Sequence, residues 1–414
     1  MAVAPSDFEK LARRIDSYRD QMVDLQKELT AIVALGPENG GQGEWKRASF
    51  LKEKLGAMGF PNVIEYNAKD ERVPEGTRPN FVVRVRGRQS QQTVWIMSHM
   101  DIVPPGDLKL WQTPPFEAVV KDGKIFGRGV EDNQQGLVSS LFAVKALVEE
   151  GITPTSDVAL MLVSDEETGN KYGIDYVMKT VPDLVKKDDL VIVPDSGTPA
   201  GDMVEVAEKS ILWCELAVLG KQVHASMPHQ GVNAHRAAAH LTVELDRVLH
   251  ERYAHEDPVY DPPPSTFEPT KKEANVPNIN TIPGEDRFYF DCRVLPEYPI
   301  EEVQRTIQEV AAGIERRFGV KVTARFPQSL QAAPATSADA QVVRELSRAI
   351  AAVRKVQAKP MGIGGGTVAA AFRMRGVPAA VWSTMDDMAH QPNEYCLIDN
   401  MVEDAKVFAH VFCR

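Results

Sequence analysis

The sequence has few of the features that mark disulfide-rich proteins or thiolate metal sites. Its 414 residues include only four cysteines, and these are scattered: Cys214, Cys292, Cys396 and Cys413. They form no CxxC pair, a spacing that is typical of reduced thiols in the cytosol. Any metal ion would therefore have to be held by carboxylates and imidazoles.

Long apolar runs and an excess of positive charge are missing as well. No window approaches the roughly 20 uninterrupted apolar residues that a membrane span needs. The opening stretch, MAVAPSDFEKLARRIDSYRDQ, has no apolar core of signal-peptide length. These absences predict a cytoplasmic protein with no membrane partner. The formal net charge of −11 argues against nucleic acid as a partner.

The composition that remains is that of a globular protein, with 43% apolar and 25% charged residues. A chain of 414 residues is too long for one ordinary hydrophobic core, so two domains are expected. Short apolar strands at 81–87, 93–101, 158–163 and 189–197 alternate with helices, among them an amphipathic helix at 133–151. This alternation predicts an α/β fold with a mainly parallel sheet and helices on both faces.

The pattern changes between residues 209 and 326. Strands and helices there follow the order β-α-β-β-α-β, which is typical of a ferredoxin-like α+β domain. The helix and strand alternation resumes after Pro327. The sequence therefore predicts one α/β domain, formed by 1–208 and 327–414, interrupted by an inserted α+β domain at 209–326.

Acidic and imidazole side chains stand where the predicted strands end. The stretch VALMLVSDEETGN places Glu166 and Glu167 directly after an apolar strand, where neighbouring negative charges repel each other. In SHMD, His99 and Asp101 are two residues apart, so both side chains point to the same side. The remaining members of this set are Asp132 in GRGVEDNQQG, Asp195 in VIVPDSG and His390 in MAHQPNE.

Each of these residues has a simpler explanation when it is taken alone. His99 could be a hydrogen-bonded structural histidine, and Asp132 could be the N-cap of the helix that follows it. Taken together, the strand ends are expected to meet at one edge of one sheet. A divalent cation there would offset the repulsion between the acids. Mixed imidazole and carboxylate ligands suit zinc, cobalt or manganese, and the set is large enough for two ions that share a carboxylate.

The motifs resemble those of a known family. HMDIVPPGDLKLWQTPPFEAVVKDGKIFGRGVEDNQQG is followed in order by DEETG, PDSG, GKQVHASMPHQGVNA and HQPNE. This series closely resembles the dinuclear metallopeptidases, a family of aminoacylases, dipeptidases, glutamate carboxypeptidases, acetylornithine deacetylase and succinyl-diaminopimelate desuccinylase. The resemblance spans nearly the whole chain, including the inserted region.

The resemblance implies a role for each residue at the strand ends. One divalent ion would be held by His99, Asp132 and Asp195, and the other by Asp132, Glu167 and His390, so that Asp132 bridges the two. Zinc is the expected metal, with cobalt or manganese as alternatives. Glu166 would be the general base that takes a proton from the metal-bound water and delivers one to the leaving amine. Asp101 would orient His99, and the Asp132–Asn133 peptide would be cis.

The resemblance also assigns residues outside the metal ligands. His224 would reach the active site of the partner subunit in a homodimer formed through the inserted domain, and would stabilise the oxyanion. A substrate-binding role is implied for Asn280, Arg293, Gly365, Gly366 and Thr367, because an Arg fork and backbone N–H groups suit a carboxylate. A loop histidine and a surface-strand arginine are the simpler alternatives. Many relatives carry an acidic residue after the threonine, where this chain has Val368.

Two cues about the substrate conflict. Relatives that cleave peptides with a free amino terminus carry Asp at the position of Asp195, whereas aminoacylases and desuccinylases commonly carry Glu. HMDIVPPGD and the chain length instead resemble the deacetylase and desuccinylase branch. The sequence thus predicts a dipeptidase or aminopeptidase acting through a metal-bound hydroxide, with an N-acyl-amino-acid deacylase as the alternative. A binding module without catalysis and a mononuclear hydrolase are two further alternatives.

Overall fold

The computed structural model describes residues 5–60 and 62–414. Residues 1–4 and 61, which fall within the predicted domain ranges, lie outside the described residues. The chain divides into two compact units. The first runs up to Val206 and also contains Ala335–Pro360 and Ala371–Arg414, and the second contains Ala207–Pro334 and Met361–Ala370. The second unit thus includes the glycine-rich segment 361–370 in addition to a range close to the predicted insertion.

The described helices are, in chain order, α1 (Pro5–Asp16), α2 (Arg19–Ala31), α3 (Trp45–Ala57), α4 (Gln134–Glu149), α5 (Ile174–Thr180), α6 (Ala234–Arg252), α7 (Ile300–Phe318), α8 (Gln341–Val353), α9 (Ala369–Arg373) and α10 (Ile398–Phe412). Within residues 5–60 and 62–414, none of these helices combines the length and the apolar character that a bilayer span requires.

The described strands are, in chain order, β1 (Val63–Glu65), β2 (Ala68–Lys69), β3 (Thr77–Arg78), β4 (Phe81–Val85), β5 (Gln89–His99), β6 (Val119–Lys121), β7 (Lys124–Phe126), β8 (Ser156–Val163), β9 (Leu190–Thr198), β10 (Met203–Glu208), β11 (Ser210–Leu219), β12 (Val223–His224), β13 (Thr266–Lys272), β14 (Thr281–Ile282), β15 (Glu285–Val294), β16 (Lys321–Leu330), β17 (Lys359–Ile363), β18 (Ala379–Thr384) and β19 (Tyr395–Leu397).

The large sheet has the strand order β1-β4-β8-β5-β9-β18-β10-β17. Its centre, β8-β5-β9-β18, is parallel, whereas β1, β4 and β10 pair antiparallel with their neighbours. The sheet is therefore mixed, and the parallel strands predicted from the sequence form its middle. All eight residues of β8 are buried, as expected for a parallel strand covered by helices. α4 packs against β5, β8 and β9.

The second unit contains a four-stranded antiparallel sheet in the order β13-β15-β11-β16. Together with α6 and α7 it forms the predicted β-α-β-β-α-β arrangement. Burial alternates along β15, and its inward residues join those of the two helices in one core. α7 has Glu301 and Glu302 in its first turn, Arg316 and Arg317 in its last, and a left-handed Gly319 after it, so its charges and its C-terminus follow helix-end preferences.

Candidate metal centre

The parallel topology brings the predicted ligands to one edge of the large sheet. His99 is the last residue of β5, which lies between β8 and β9. Glu166 and Glu167 lie in a short 3-10 turn just after β8, and Asp195 lies near the end of β9. His390 belongs to the loop that follows β18, the neighbour of β9. Because these strands are parallel, their carboxyl ends meet, as the sequence predicted.

Asp132 lies between two imidazoles and presents a different oxygen to each. Its Oδ1 is 2.9 Å from His99 Nε2, and its Oδ2 is 3.2 Å from His390 Nε2. His99 Nε2 also lies 3.4 Å from Asp195 Oδ1, and His390 Nε2 lies 3.2 Å from Glu167 Oε2. All five predicted ligands therefore meet in one place, with Asp132 in the middle.

Two overlapping groups of side chains could each hold a metal ion, because their ligand atoms lie within 4.8 Å of one another. One group is His99, Asp132 and Glu167, and the other is His99, Glu166 and Asp195. The groups divide the residues differently from the ligand sets that the resemblance implies, since Glu166 joins His99 and Asp195. The assignment of each ligand to one ion stays a prediction.

A cation fits the donors that are present. Glu167 Oε1 is buried without a hydrogen-bond partner among the described residues. A buried carboxylate oxygen without a partner is costly, and a bound cation would remove that cost. Imidazole and carboxylate donors in this proportion are the ligands of zinc, cobalt and manganese sites.

The imidazoles are surrounded by negative charge. Burial disfavours the charged form of His99, but the charge of Asp195 and hydrogen bonds to Asp101 and Asp132 outweigh it and raise the imidazole pKa well above its ordinary value. Hydrogen bonds to Asp132 and Glu167 raise the pKa of His390 to about 10. In the metal-free protein, His390 is therefore mostly the charged imidazolium at neutral pH, and the same surroundings favour the charged form of His99.

The carboxylates of the centre respond differently to the same surroundings. Burial raises the pKa of Glu166 well above its ordinary value, and although His99 opposes this, Asp195 and the other nearby carboxylates add to it. Burial and the charge of Asp132 raise the pKa of Glu167 to about 7. Burial alone would raise the pKa of Asp132 as well, but hydrogen bonds from His390 and His99 outweigh it and hold this pKa well below the ordinary range. Asp132 therefore stays ionised at neutral pH.

Asp101 contacts both His99 and the turn that carries the two glutamates. His99 Nδ1 lies 3.1 Å from the backbone carbonyl oxygen of Asp101 and 3.5 Å from its carboxylate. The carboxylate accepts hydrogen bonds from the backbone N–H groups of Glu166 at 3.2 Å and Glu167 at 3.0 Å. An Nδ1–H that donates to Asp101 leaves Nε2 available for a metal. Asp101 therefore fixes the imidazole and the glutamate turn together.

The alternative in which Asp132 caps a helix does not hold. α4 begins at Gln134, and its N-cap is Asn133, whose side chain makes no capping hydrogen bond. Asn133 Nδ2 instead donates to Asp195 Oδ1 at 2.6 Å and to Pro194 O at 2.7 Å. The Asp132–Asn133 peptide is cis, as the resemblance implied.

A buried charge network behind the glutamate turn was not predicted from the sequence. The side chain of Arg78 is fully buried; it forms an ion pair with the buried Glu44 and lies 3.5 Å from Asp165. Asp165 accepts from Thr168 Oγ1 and from the backbone of Tyr172 at 2.8 Å. Glu44 and Arg78 stand in no recognisable motif and are far from Asp165 in sequence, so only the fold associates them.

His224 and Asn280 are neighbours in the second unit. His224 lies on β12, opposite Thr281 of β14. The backbone carbonyl of Asn280 accepts from Ala225 N at 2.8 Å, and His224 Nδ1 lies 2.7 Å from Ser226 Oγ. His224 and Asn280 are both exposed. Their expected roles at a partner's site and at the substrate stay predictions.

Arg293 and the glycine-rich loop form a second group in this unit. Arg293 donates from Nε to Asp291 Oδ1 at 2.6 Å and from Nη1 to the carbonyl oxygen of Gly364 at 2.9 Å. Thr367, two residues after Gly365 and next to Gly366, donates through its backbone and its hydroxyl to Glu208 Oε1, at 3.0 and 2.6 Å. The Thr367 donors that the sequence assigned to substrate are therefore engaged by a carboxylate of the chain itself.

Comparisons with known proteins agree with this fold. The model of a family described as Peptidase family M20/M25/M40 matches residues 95–414. An uncharacterized metallohydrolase of Methanocaldococcus jannaschii is 40% identical over 411 residues, which cover 95% of this chain and 98% of that protein. Succinyl-diaminopimelate desuccinylase of Alkalilimnicola ehrlichii is 28% identical over 400 residues, with 95% and 99% covered.

Solved structures show the same fold at low sequence identity. Aminopeptidase PepT from Bacillus cereus is similar with a TM-score of 0.75 at 19% identity, and the match covers 95% of this chain and 98% of that one. The family match covers most of the chain and includes every predicted metal ligand. The chain therefore belongs to peptidase family M20/M25/M40 and is a metallohydrolase.

Proposed function

We propose that this metallohydrolase cleaves the amide bond of small peptides, as a dipeptidase or aminopeptidase, at a centre of two divalent ions. The position of Asp132 carries the proposal, because its two oxygens face two different imidazoles at 2.9 and 3.2 Å. His99, Asp132 and Asp195 would hold one ion, and Asp132, Glu167 and His390 the other. Zinc is the proposed metal, with cobalt or manganese as alternatives.

When bound, the ions would polarise the substrate carbonyl and make a water molecule more acidic. The protein must then move the proton. Glu166 lies with His99 and Asp195 in one of the two candidate groups, and burial raises its pKa well above the ordinary value. A carboxyl group with a raised pKa can take a proton from water and later give it to the leaving amine. The backbone N–H of Glu166 donates to the carboxylate of Asp101 at 3.2 Å, and this hydrogen bond fixes the position of the Glu166 backbone.

We infer the type of substrate from Asp195, whose short side chain the resemblance associates with peptides that have a free amino terminus. The second candidate is an N-acyl-amino-acid deacylase, similar to acetylornithine deacetylase or succinyl-diaminopimelate desuccinylase. The 28% identity to a desuccinylase along nearly the whole chain favours this candidate.

A hydrolysis screen separates the two candidates. Protein loaded with zinc, cobalt or manganese is tested on free dipeptides and on N-acetyl and N-succinyl amino acids, by release of the free amine. We expect kcat/KM for at least one free dipeptide to exceed that for the acylated amino acids by about 100-fold or more, which corresponds to about 2.7 kcal/mol of transition-state binding. The reverse ranking would establish the deacylase instead.

Glu166→Gln is the matched variant for this screen, because it keeps the size of the side chain and removes the base. We expect turnover to fall by about 10²–10⁴-fold, the usual contribution of a general base. Metal content should stay at the wild-type value, since Glu166 is not a proposed ligand. Substantial remaining turnover would remove Glu166 from this role.

For the second unit we propose that it forms the dimer contact and supplies His224 to the partner's site for oxyanion stabilisation. Asn280 and Arg293 would bind polar groups of the substrate, and Gly365 and Gly366 would bring backbone N–H groups close to it. The exposure of His224 supports its proposed role. The cytoplasmic location stays a prediction from the sequence.

A further inference from the structure

Two buried glutamates link the chain segments that carry Asp132 and His390. Glu131 precedes Asp132 directly, and Glu394 follows His390 by four residues. Each carboxylate accepts hydrogen bonds from the backbone of the other segment. We call this pair, Glu131 and Glu394, the carboxylate clasp.

Glu394 holds the segment that contains Asp132. Its side chain is fully buried, and Oε1 accepts from the backbone N–H groups of Glu131 at 2.9 Å and Asp132 at 3.2 Å. Oε2 accepts from Gly129 N at 2.9 Å and from the guanidinium of Arg128 at 2.7 Å. One carboxylate thus binds three N–H groups of four consecutive residues, which fixes the backbone on the N-terminal side of Asp132.

Glu131 holds the segment that contains His390. Its side chain is buried, and its two oxygens accept from the backbone N–H groups of Asp386 at 2.8 Å and of Met388. Asp387, His390 and Asn393 in this loop have φ near +60°, a backbone conformation that residues other than glycine rarely adopt. A loop of this kind needs contacts from outside to keep one conformation, and Glu131 supplies two.

Burying a carboxylate costs free energy unless hydrogen bonds or opposite charges compensate for the lost hydration. The two carboxylates accept six hydrogen bonds, five from backbone N–H groups of the two ligand-bearing segments and one from Arg128. We propose that Glu131 and Glu394 are positioning residues that hold Asp132 and His390 at the spacing a divalent ion requires. This inference rests on the proposed two-metal centre and adds which residues outside the ligand set determine its affinity.

The clasp predicts different effects for its two members. Glu131→Gln keeps the size of the side chain but offers one acceptor where two are needed, so it loosens the loop of His390. We expect it to weaken binding of the ion held by Glu167 and His390, which we call the second ion, by about 10–100-fold. This is the usual loss of metal affinity when a hydrogen bond that orients a metal ligand is removed. The ion held by His99 and Asp195 should be unaffected. Glu394→Gln acts on Asp132, which both ions would share, and should weaken the binding of both ions.

Cobalt titration of the full-length chain measures this directly. Stoichiometry and the two dissociation constants come from the visible absorption of bound Co²⁺, and circular dichroism of the metal-free protein checks folding. Glu117→Gln, a change at an exposed glutamate, is the matched control and should bind Co²⁺ as the wild type does. Glu131→Asp keeps both carboxylate oxygens and should retain the second ion better than Glu131→Gln.

Two results would overturn the inference, and they are distinguishable. A wild type that binds two ions, together with a Glu131→Gln protein of unchanged affinities and spectrum, would refute the clasp and leave the two-metal centre intact. A wild type that binds one ion per chain would refute the two-metal proposal and the clasp with it. Selective loss of the second ion in Glu131→Gln, with both ions kept in Glu117→Gln, would support it.

Discussion

The affinity of the metal-free protein for the ion proposed to bind Glu167 and His390 should depend steeply on pH. Glu167, with a pKa of about 7, and His390, with a pKa of about 10, must both lose their protons before they can bind a metal. Each proton that must be displaced lowers the apparent affinity about tenfold for every pH unit below the pKa of its group. Affinity should therefore rise as pH rises.

The size of the effect follows from the two pKa values. Between pH 6 and pH 8, His390 stays protonated in the metal-free protein, so its proton alone changes the affinity about 100-fold. Glu167 passes from mostly protonated to mostly ionised over the same range and contributes about another tenfold. The total is about 1000-fold. Protons released per ion should fall from about 1.9 at pH 6 to about 1.1 at pH 8.

The assay is competition for Zn²⁺ against a chromophoric chelator whose own protonation is corrected, at pH 6, 7 and 8. Calorimetry in two buffers of different ionisation enthalpy gives the number of protons released. Glu167→Gln should bind the ion more weakly at every pH, but its affinity should change only about 100-fold across the range, because one of the two protons is gone. An affinity that varies less than about threefold between pH 6 and 8 would refute the reasoning.

Three further predictions concern residues around the centre. Arg78→Met leaves the buried carboxylate of Glu44 without its cation and should lower the free energy of unfolding, measured by urea denaturation, by about 3–5 kcal/mol. The control Arg86→Met, at an exposed position, should change it by less than about 0.5 kcal/mol, and equal effects of the two variants would contradict the buried network. Asp101→Asn removes one of the two oxygens that accept from the glutamate turn and should lower metal affinity by about 10–100-fold; metal affinity equal to that of the wild type would remove Asp101 from its positioning role. His224→Ala mixed in equal amounts with Glu166→Ala should recover about a quarter of wild-type activity if each site is completed by the partner, and a verified heterodimer without activity would exclude sharing.

Local sequence determined the elements of the fold and the kinds of ligand. The apolar run of β8 and the alternation along β15 mark strands because side-chain direction repeats every two residues, a property that neighbours in sequence fix. His99 ends β5, Glu167 follows β8 and Asp195 lies near the end of β9, so the expectation that they converge required only that the central strands be parallel. The order of motifs then identified the family, and the family model confirmed it.

Tertiary structure alone decided which atoms face each other. Glu131 binds the backbone of Met388 across more than 250 residues, and Arg78 pairs with Glu44 through a buried contact that no local pattern marks. The backbone N–H and the hydroxyl of Thr367 both donate to Glu208, a contact that the glycine-rich sequence around Thr367 could not indicate. Periodicity reports how one residue is oriented relative to its own strand or helix. Partners that are distant in sequence are set by how those elements pack, because hydrogen bonds form only where packing brings a donor within about 3 Å of an acceptor.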